Sequence, residues 1–212
     1  WNKVLDQDVL KPIADEVAQK GDVMLIGYAG GGTRNIFATK SFATMAEMKG
    51  LKVRVQGAPI WSRTFNAVGM APTVIAYNEV YNAIQNGVIQ AGENEAAGVE
   101  AMKFYEVGKF LNVTQHAITI RPICFSAKTF KTLPADLQAA IIKAGKEAGK
   151  YGRDIESSED QAKLDALAKA NKLTLVPFKE RAAMQKAVDP VMMTYAKEIG
   201  ADGIFARINA IK

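Results

Sequence analysis

A chain of 212 residues, 49% hydrophobic and 23% charged, has an ordinary globular composition and is long enough for one large or two small domains around a real core. Its net charge of +5 is modest and its lysines and arginines are scattered, which argues against nucleic acid and suits attraction of small anions. Apolar runs such as VMLIGYA are too short to cross a membrane, the single cysteine, Cys124, forbids an internal disulfide or a cysteine-based metal cluster, and the single histidine, His116, excludes a His-rich metal site.

The chain opens without a basic segment, apolar stretch and small-residue cleavage site, so it reads as cytosolic, already processed, or cut at its start. Periodicity predicts a helix from about Val4 to Lys20, then a buried strand in DVMLIGYA that ends in Gly30, Gly31 and Gly32 and opens into a flexible loop carrying Arg34. A short helix over 44–49 leads to a strand from Leu51. There Val53 and Val55 share one face, and Lys52, Arg54 and Gln56 share the other. APIWSRTFNAVG reads as a helix, APTVIAY as an extended segment, and NEVYNAIQNG as a helix with Asn78 as N-cap and Gly87 past its end.

VIQAGEN predicts a further strand and AAGVEAMKFYEVGKFL a single helix. VTQHAITIRPICFS is the longest strand-like region, and Pro122 inside it marks an edge, a bulge or a crossing between domains. From Pro134, expected at N1, to about Ala170 the pattern is one very long helix or two end to end. Gly145, Gly149 and Gly152 within it imply a bend or a close contact with another element. LTLVPF gives a last strand before the helical KERAAMQKAVDPVMMTYAKEIG. Alternating strands and helices predict an α/β fold with mostly parallel pairing.

Several residues sit where open α/β sheets bind ligands, at strand ends. GYAGGGTRN lacks the Gly-Lys-Ser/Thr ending of a phosphate loop and the dinucleotide fingerprint, but it presents Arg34. Glu93 and Asn94 close one strand, and Glu79 begins a helix. The two carboxylates could do acid–base work, although a helix dipole explains Glu79 and a turn explains Glu93. Trp61 and Tyr77 are either core residues or the walls of a cleft, and His116 is either a hydrogen-bonded core histidine or a site residue. Arg54 on pattern alone is a solvated strand residue.

Taken together, MKGLKVRVQ, AVGMAPTVIAYNEVYNAIQNGVIQAGEN, KFYEVGKFLNVTQHA and LPADLQAAI resemble the DctP-like substrate-binding proteins of tripartite ATP-independent periplasmic (TRAP) transporters, from about residue 23 to the C-terminus. The resemblance implies a two-domain periplasmic-binding-protein-like (Venus-flytrap) α/β fold with a long inter-domain helix and the first part of domain one missing. Domain one would hold 1–31 and 120–159, domain two 32–119 and 160–212. It implies that Arg54 forms the main salt bridge to a ligand carboxylate, with Arg34, Asn94 and Tyr77 as further contacts. His116 would stand in a water-linked network near the pocket, and Arg121 at a polar contact. Trp61 would narrow the pocket, and Glu79 falls in the same NEVY motif. Gln90 and Ala91 replace the Asp-Gly that many relatives carry, which puts the local turn in question.

The chemistry agrees, since an arginine fork binds a carboxylate through two parallel charge-assisted bonds that lysine cannot copy. The expected protein is a periplasmic, monomeric receptor, its signal peptide removed, that takes a carboxylic acid such as a sugar acid, keto acid or dicarboxylate to TRAP membrane subunits. No cofactor, metal, nucleic acid or catalytic residue is expected. The alternatives are a ligand-sensing domain for a signalling partner, or an enzyme using Glu79 or Glu93 as a base.

Overall fold

The computed structural model describes residues 1–211. In chain order its elements are α1 (Asn2–Asp6), α2 (Lys11–Lys20), β1 (Val23–Ala38), α3 (Met45–Met48), β2 (Lys52–Val55), α4 (Pro59–Ala67) and β3 (Ala71–Val74). After a 3-10 turn at Tyr77–Glu79 come α5 (Val80–Gln85), β4 (Ala91–Asn94), α6 (Ala96–Ala101), α7 (Phe104–Val107) and β5 (Phe110–Ser126). The last are α8 (Ala127–Thr132), α9 (Ala135–Lys169), β6 (Thr174–Pro177), α10 (Arg181–Glu198) and α11 (Asp202–Ala210). None of the described helices is long and apolar enough to cross a membrane.

The chain divides into two compact units. One comprises 1–31, 120–157 and the chain from Ala196 onward; the other comprises 32–119 and 158–195. The resemblance implies that 160–212 lies in the second unit, but the end of α10 and α11 group with the first. The boundary falls inside β5 just before Pro122, so that proline accompanies a crossing, and β5 runs through it unbroken.

Several local expectations change. The first helix is two helices, because Asp8 takes a left-handed φ of 51° between them. The segment after β4 is likewise split, at Lys103 with φ 52°. Asn78 is not an N-cap; it lies within the 3-10 turn, and Glu79 caps α5. Pro134 stands one residue before α9, where its carbonyl accepts from the Gln138 N–H at 3.0 Å.

In the first unit α9 lies against β1 with little side chain between them. A Cβ at Gly145 would sit 2.5 Å from the Ile26 carbonyl oxygen, and one at Gly149 would sit 2.7 Å from that of Tyr28. The helix glycines therefore mark the close contact, and α9 is one 35-residue helix. Gly31 serves the same approach from the strand side, where a Cβ would sit 2.9 Å from the Arg153 carbonyl oxygen; it and Gly30 take φ of 118° and 100°, and β1 continues where a loop was expected. Arg34 is consequently a strand residue.

In the second unit the strand order is β3-β2-β4-β1-β5-β6. β2 runs parallel to β3, with Arg54 beside Thr73, and parallel to β4, with Val53 beside Ala91. β5 and β6 are also parallel. The exception to the expected parallel pairing is β1, antiparallel to β4 with Asn35 opposite Asn94. Alternation along β1 feeds two cores. Ile36 and Ala38 pack with Phe42, Val53, Val55 and Phe65, while Phe37 packs with Val80, Ile89, Phe104 and Leu164. The turn before β4 is secured without Asp-Gly: the Gln90 side-chain oxygen accepts from the Lys52 N–H at 2.9 Å.

Candidate ligand site

Because β2, β3 and β4 are parallel, their carboxyl ends share one edge of the sheet, and the segments leaving them carry Gln56, Tyr77 and Glu95. Arg34 reaches the same edge from the antiparallel β1, one residue before the Asn35–Asn94 pair. The edge belongs entirely to the second unit.

Arg54 and Arg34 are both buried, at 6% and 8% exposure, but they are engaged differently. Arg34 uses every N–H it has. Its Nε donates to Glu93 at 2.5 Å. Nη2 donates to the Glu93 carboxylate at 2.9 Å and to its carbonyl oxygen at 3.0 Å, and Nη1 donates to Glu95 at 2.7 Å and to Thr119 at 3.2 Å. Thr119 in turn donates to Glu95 at 3.0 Å. Arg54 donates only through Nε, to the Ile75 carbonyl oxygen at 2.9 Å, and among the described residues no carboxylate stands within salt-bridge distance. Its guanidinium lies 5.5 Å from the Tyr77 ring centroid.

The charges follow these contacts. Burial works against Arg34's charge, but the bonds and charges of Glu93 and Glu95 outweigh it, and its pKa is raised. Burial also opposes ionisation of Glu93, yet the bonds from His116 and Arg34 prevail and hold its pKa below the usual carboxylate value. Arg54 has no such partner: burial and the positive charge of Arg34 outweigh the pull of Glu93, and its pKa is lowered. Arginine stays charged throughout the physiological range regardless.

Tyr77 is 41% exposed, with its ring edge against Phe104. Its hydroxyl accepts from the Asn94 amide at 2.8 Å, and burial raises its pKa, so it keeps its own proton to donate. Asn94 also accepts from the Glu95 N–H at 3.0 Å. A Cβ at Gly98 would fall 2.6 Å from the Asn94 amide carbon, so α6 needs glycine there. Trp61 stacks near Phe65, and the Arg34 guanidinium lies 5.8 Å from its ring centroid. His116 joins the carboxylate network directly: one ring nitrogen is 3.4 Å from Glu93, the other 2.8 Å from the Thr114 hydroxyl, and the ring meets Phe65 edge-on.

The structure thus brings Arg34, Arg54, Tyr77, Asn94, Trp61 and His116 together. Glu79 is exposed in the 3-10 turn and outside this network. Arg121 belongs to the first unit, where it pairs with Glu156 at 2.7 Å. Arg34, expected as a further ligand contact, has its donors taken up by Glu93, Glu95 and Thr119. Sequence reasoning missed Glu95 and Thr119. The β1–β4 register places Glu95 directly opposite Arg34 and Glu93 diagonal to it, a pairing visible only once the strands are known to be antiparallel. The two guanidiniums, Arg34 and Arg54, balance the two carboxylates, Glu93 and Glu95. Among the described residues no cluster of three or more His, Cys, Asp or Glu could hold a metal ion.

A family described as "Bacterial extracellular solute-binding protein, family 7" (DctP) matches residues 1–198. A solute-binding protein of Sulfitobacter sp. (strain NAS-14.1) is 51% identical over 99% of the chain, which spans 64% of that relative's length. The C4-dicarboxylate-binding periplasmic protein DctP of Rhodobacter capsulatus is 28% identical over 97% of the chain and 62% of its own length. A crystal structure of a TRAP periplasmic solute-binding protein from Sulfitobacter sp. NAS-14.1, with bound α-D-taluronate, superposes with a TM-score of 0.94 at 51% identity, over 98% of this chain and 68% of the other. This chain belongs to the DctP family of TRAP solute-binding proteins.

Proposed function

We propose that this protein is a periplasmic receptor that binds a sugar acid with one carboxylate, of the uronate class, and delivers it as a monomer to the membrane component of a TRAP transporter. The observation that carries this reading is the contrast between the two arginines. Arg34 has no donor left, whereas among the described residues both terminal nitrogens of Arg54 are free of hydrogen-bond partners. One open fork takes one carboxylate. The remaining charges, Arg34 against Glu93 and Glu95, leave an excess of one negative charge, so a second carboxylate would enter beside the two glutamates with no open cation to meet it, and the charge balance favours a monoanion with a polar, uncharged body. The relative that holds α-D-taluronate supports the same class.

The enzymatic alternative loses its bases. Glu93 is held ionised with its oxygens already accepting from Arg34, and Glu79 is exposed outside the network.

Calorimetric titration of the full-length gene product with D-taluronate, D-glucuronate and succinate tests the reading. At least one uronate is expected to bind, and succinate to bind at least tenfold more weakly. Arg54→Ala should cost the uronate about 2–5 kcal/mol, and Arg54→Lys should cost tenfold or more because it keeps the charge and loses the fork. Succinate binding as tightly as the uronates overturns the single-anion reading, and full affinity in Arg54→Lys removes Arg54 as the anchor.

A further inference from the structure

We propose that Gln56 is a specificity-determining residue of this site, whose side-chain amide takes a hydroxyl of the ligand that Arg54 holds by its carboxylate; the inference rests on reading Arg54 as that anchor. Among the described residues, the Gln56 side-chain oxygen is the one buried side-chain polar atom with no hydrogen-bond partner. A buried acceptor loses its water and gains nothing in return, and native proteins leave few such atoms without a reason.

Its place in the chain supplies the reason. Gln56 follows Val55, the last residue of β2, so the two-residue alternation that puts Arg54 on one face puts Gln56 on the same face, roughly 6.6 Å further along. That separation suits a six-membered sugar ring with its carboxylate on the arginine and a ring hydroxyl on the amide. Beside it the backbone is unobstructed, since a Cβ added at Gly57 would meet nothing within 4 Å. No charged group of the site bonds to Gln56: Arg34 is consumed by Glu93, Glu95 and Thr119, and Arg54 turns its Nε to Ile75.

The chemistry is selective. A hydroxyl both donates and accepts, so it satisfies the amide in either orientation of its oxygen and nitrogen. A second carboxylate can only accept, so it is served only by the NH2 of the amide and leaves the amide oxygen without a partner. Gln56 therefore adds a requirement for a hydroxyl to the single-anion requirement set by Arg54 and the paired glutamates.

The test compares wild type with Gln56→Met, close in shape and without the amide, by calorimetric titration of the full-length gene product. The probes are the tighter of D-taluronate and D-glucuronate, and tetrahydropyran-2-carboxylate, which keeps the ring and carboxylate but has no hydroxyl. Gln56→Met should weaken the uronate about tenfold, leave the deoxygenated acid unchanged, and melt no lower than wild type without ligand. Equal losses for the two acids, or an unchanged uronate affinity, overturn the role of Gln56 while leaving Arg54 as anchor. If wild type binds neither uronate, Gln56 and the functional reading fail together, and retained uronate affinity in Arg54→Lys marks failure of the anchor alone.

Discussion

Both units bury arginine, and Arg153 of the first and Arg54 of the second are used in opposite ways. In the first unit Arg153, at 4% exposure, commits all three nitrogens to the chain: Nε to Asn2 at 2.9 Å, Nη1 to the Tyr28 carbonyl oxygen at 2.6 Å and Nη2 to Asp6 at 2.6 Å. It fastens α1 and β1 to α9. In the second unit Arg54 is almost equally buried yet commits one nitrogen. Burial therefore does not separate a structural arginine from a binding one; the count of donors already spent does. By that measure Arg34, beside Arg54 in space, belongs with Arg153.

The strongest way to break this comparison is to remove the arginines singly. Arg34→Ala leaves Glu93 and Glu95 buried without their partner and should lower unfolding free energy by about 3–5 kcal/mol in denaturant titrations. Arg54→Ala, which relieves a buried charge with no acidic partner, should leave the ligand-free protein no less stable. Equal losses would mean that Arg54 is as structural as Arg34.

A second substitution sharpens the contrast from the first unit, where α9 meets β1 by backbone approach. Gly145→Ala places a methyl group against the Ile26 carbonyl and should cost about 1–3 kcal/mol, read as a lower midpoint in the same titrations. An unchanged midpoint would show that α9 can shift away without loss.

The finest test is acid titration of the Arg34 network. Glu93 has a folded pKa below its ordinary 4.5, so its stabilising contribution is fully present above that pH and is lost as pH falls through the folded value. Melting temperatures of wild type and Glu93→Gln should therefore converge as pH drops below 4.5. A gap that stays constant into acid would mean that ionised Glu93 contributes nothing.

The elements with clear period and punctuation were legible in the sequence: β2 with its alternating valines, α4 between Pro59 and Gly69, and the long α9. Arg54 was legible as a residue of β2, and Asn94 and Tyr77 as the ends of the extended segments VIQAGEN and APTVIAY. Two kinds of feature were not legible. Breaks at Asp8 and Lys103 depend on left-handed backbone at residues that give no local warning. The role of Arg34 depended on which strand lay beside β1 and in which direction. Glycines 30–32 read as a loop because the sequence does not reveal that α9 lies close enough to β1 to exclude a side chain at Gly31.

Neither unit is a continuous stretch of chain. β1, β5 and α9 each run without interruption from one unit into the other, and α10 ends across the boundary as well. As the chain leaves the ribosome, the second unit still lacks 158–195 after β1 to β5 have emerged, and the first waits for the residues from Ala196 onward. Such distant pairings make folding slow and expose unpaired strands meanwhile. Both units should therefore form almost at once, only after the residues from Ala196 onward have emerged, and a truncation before α10 should deprive both of structure rather than spare one.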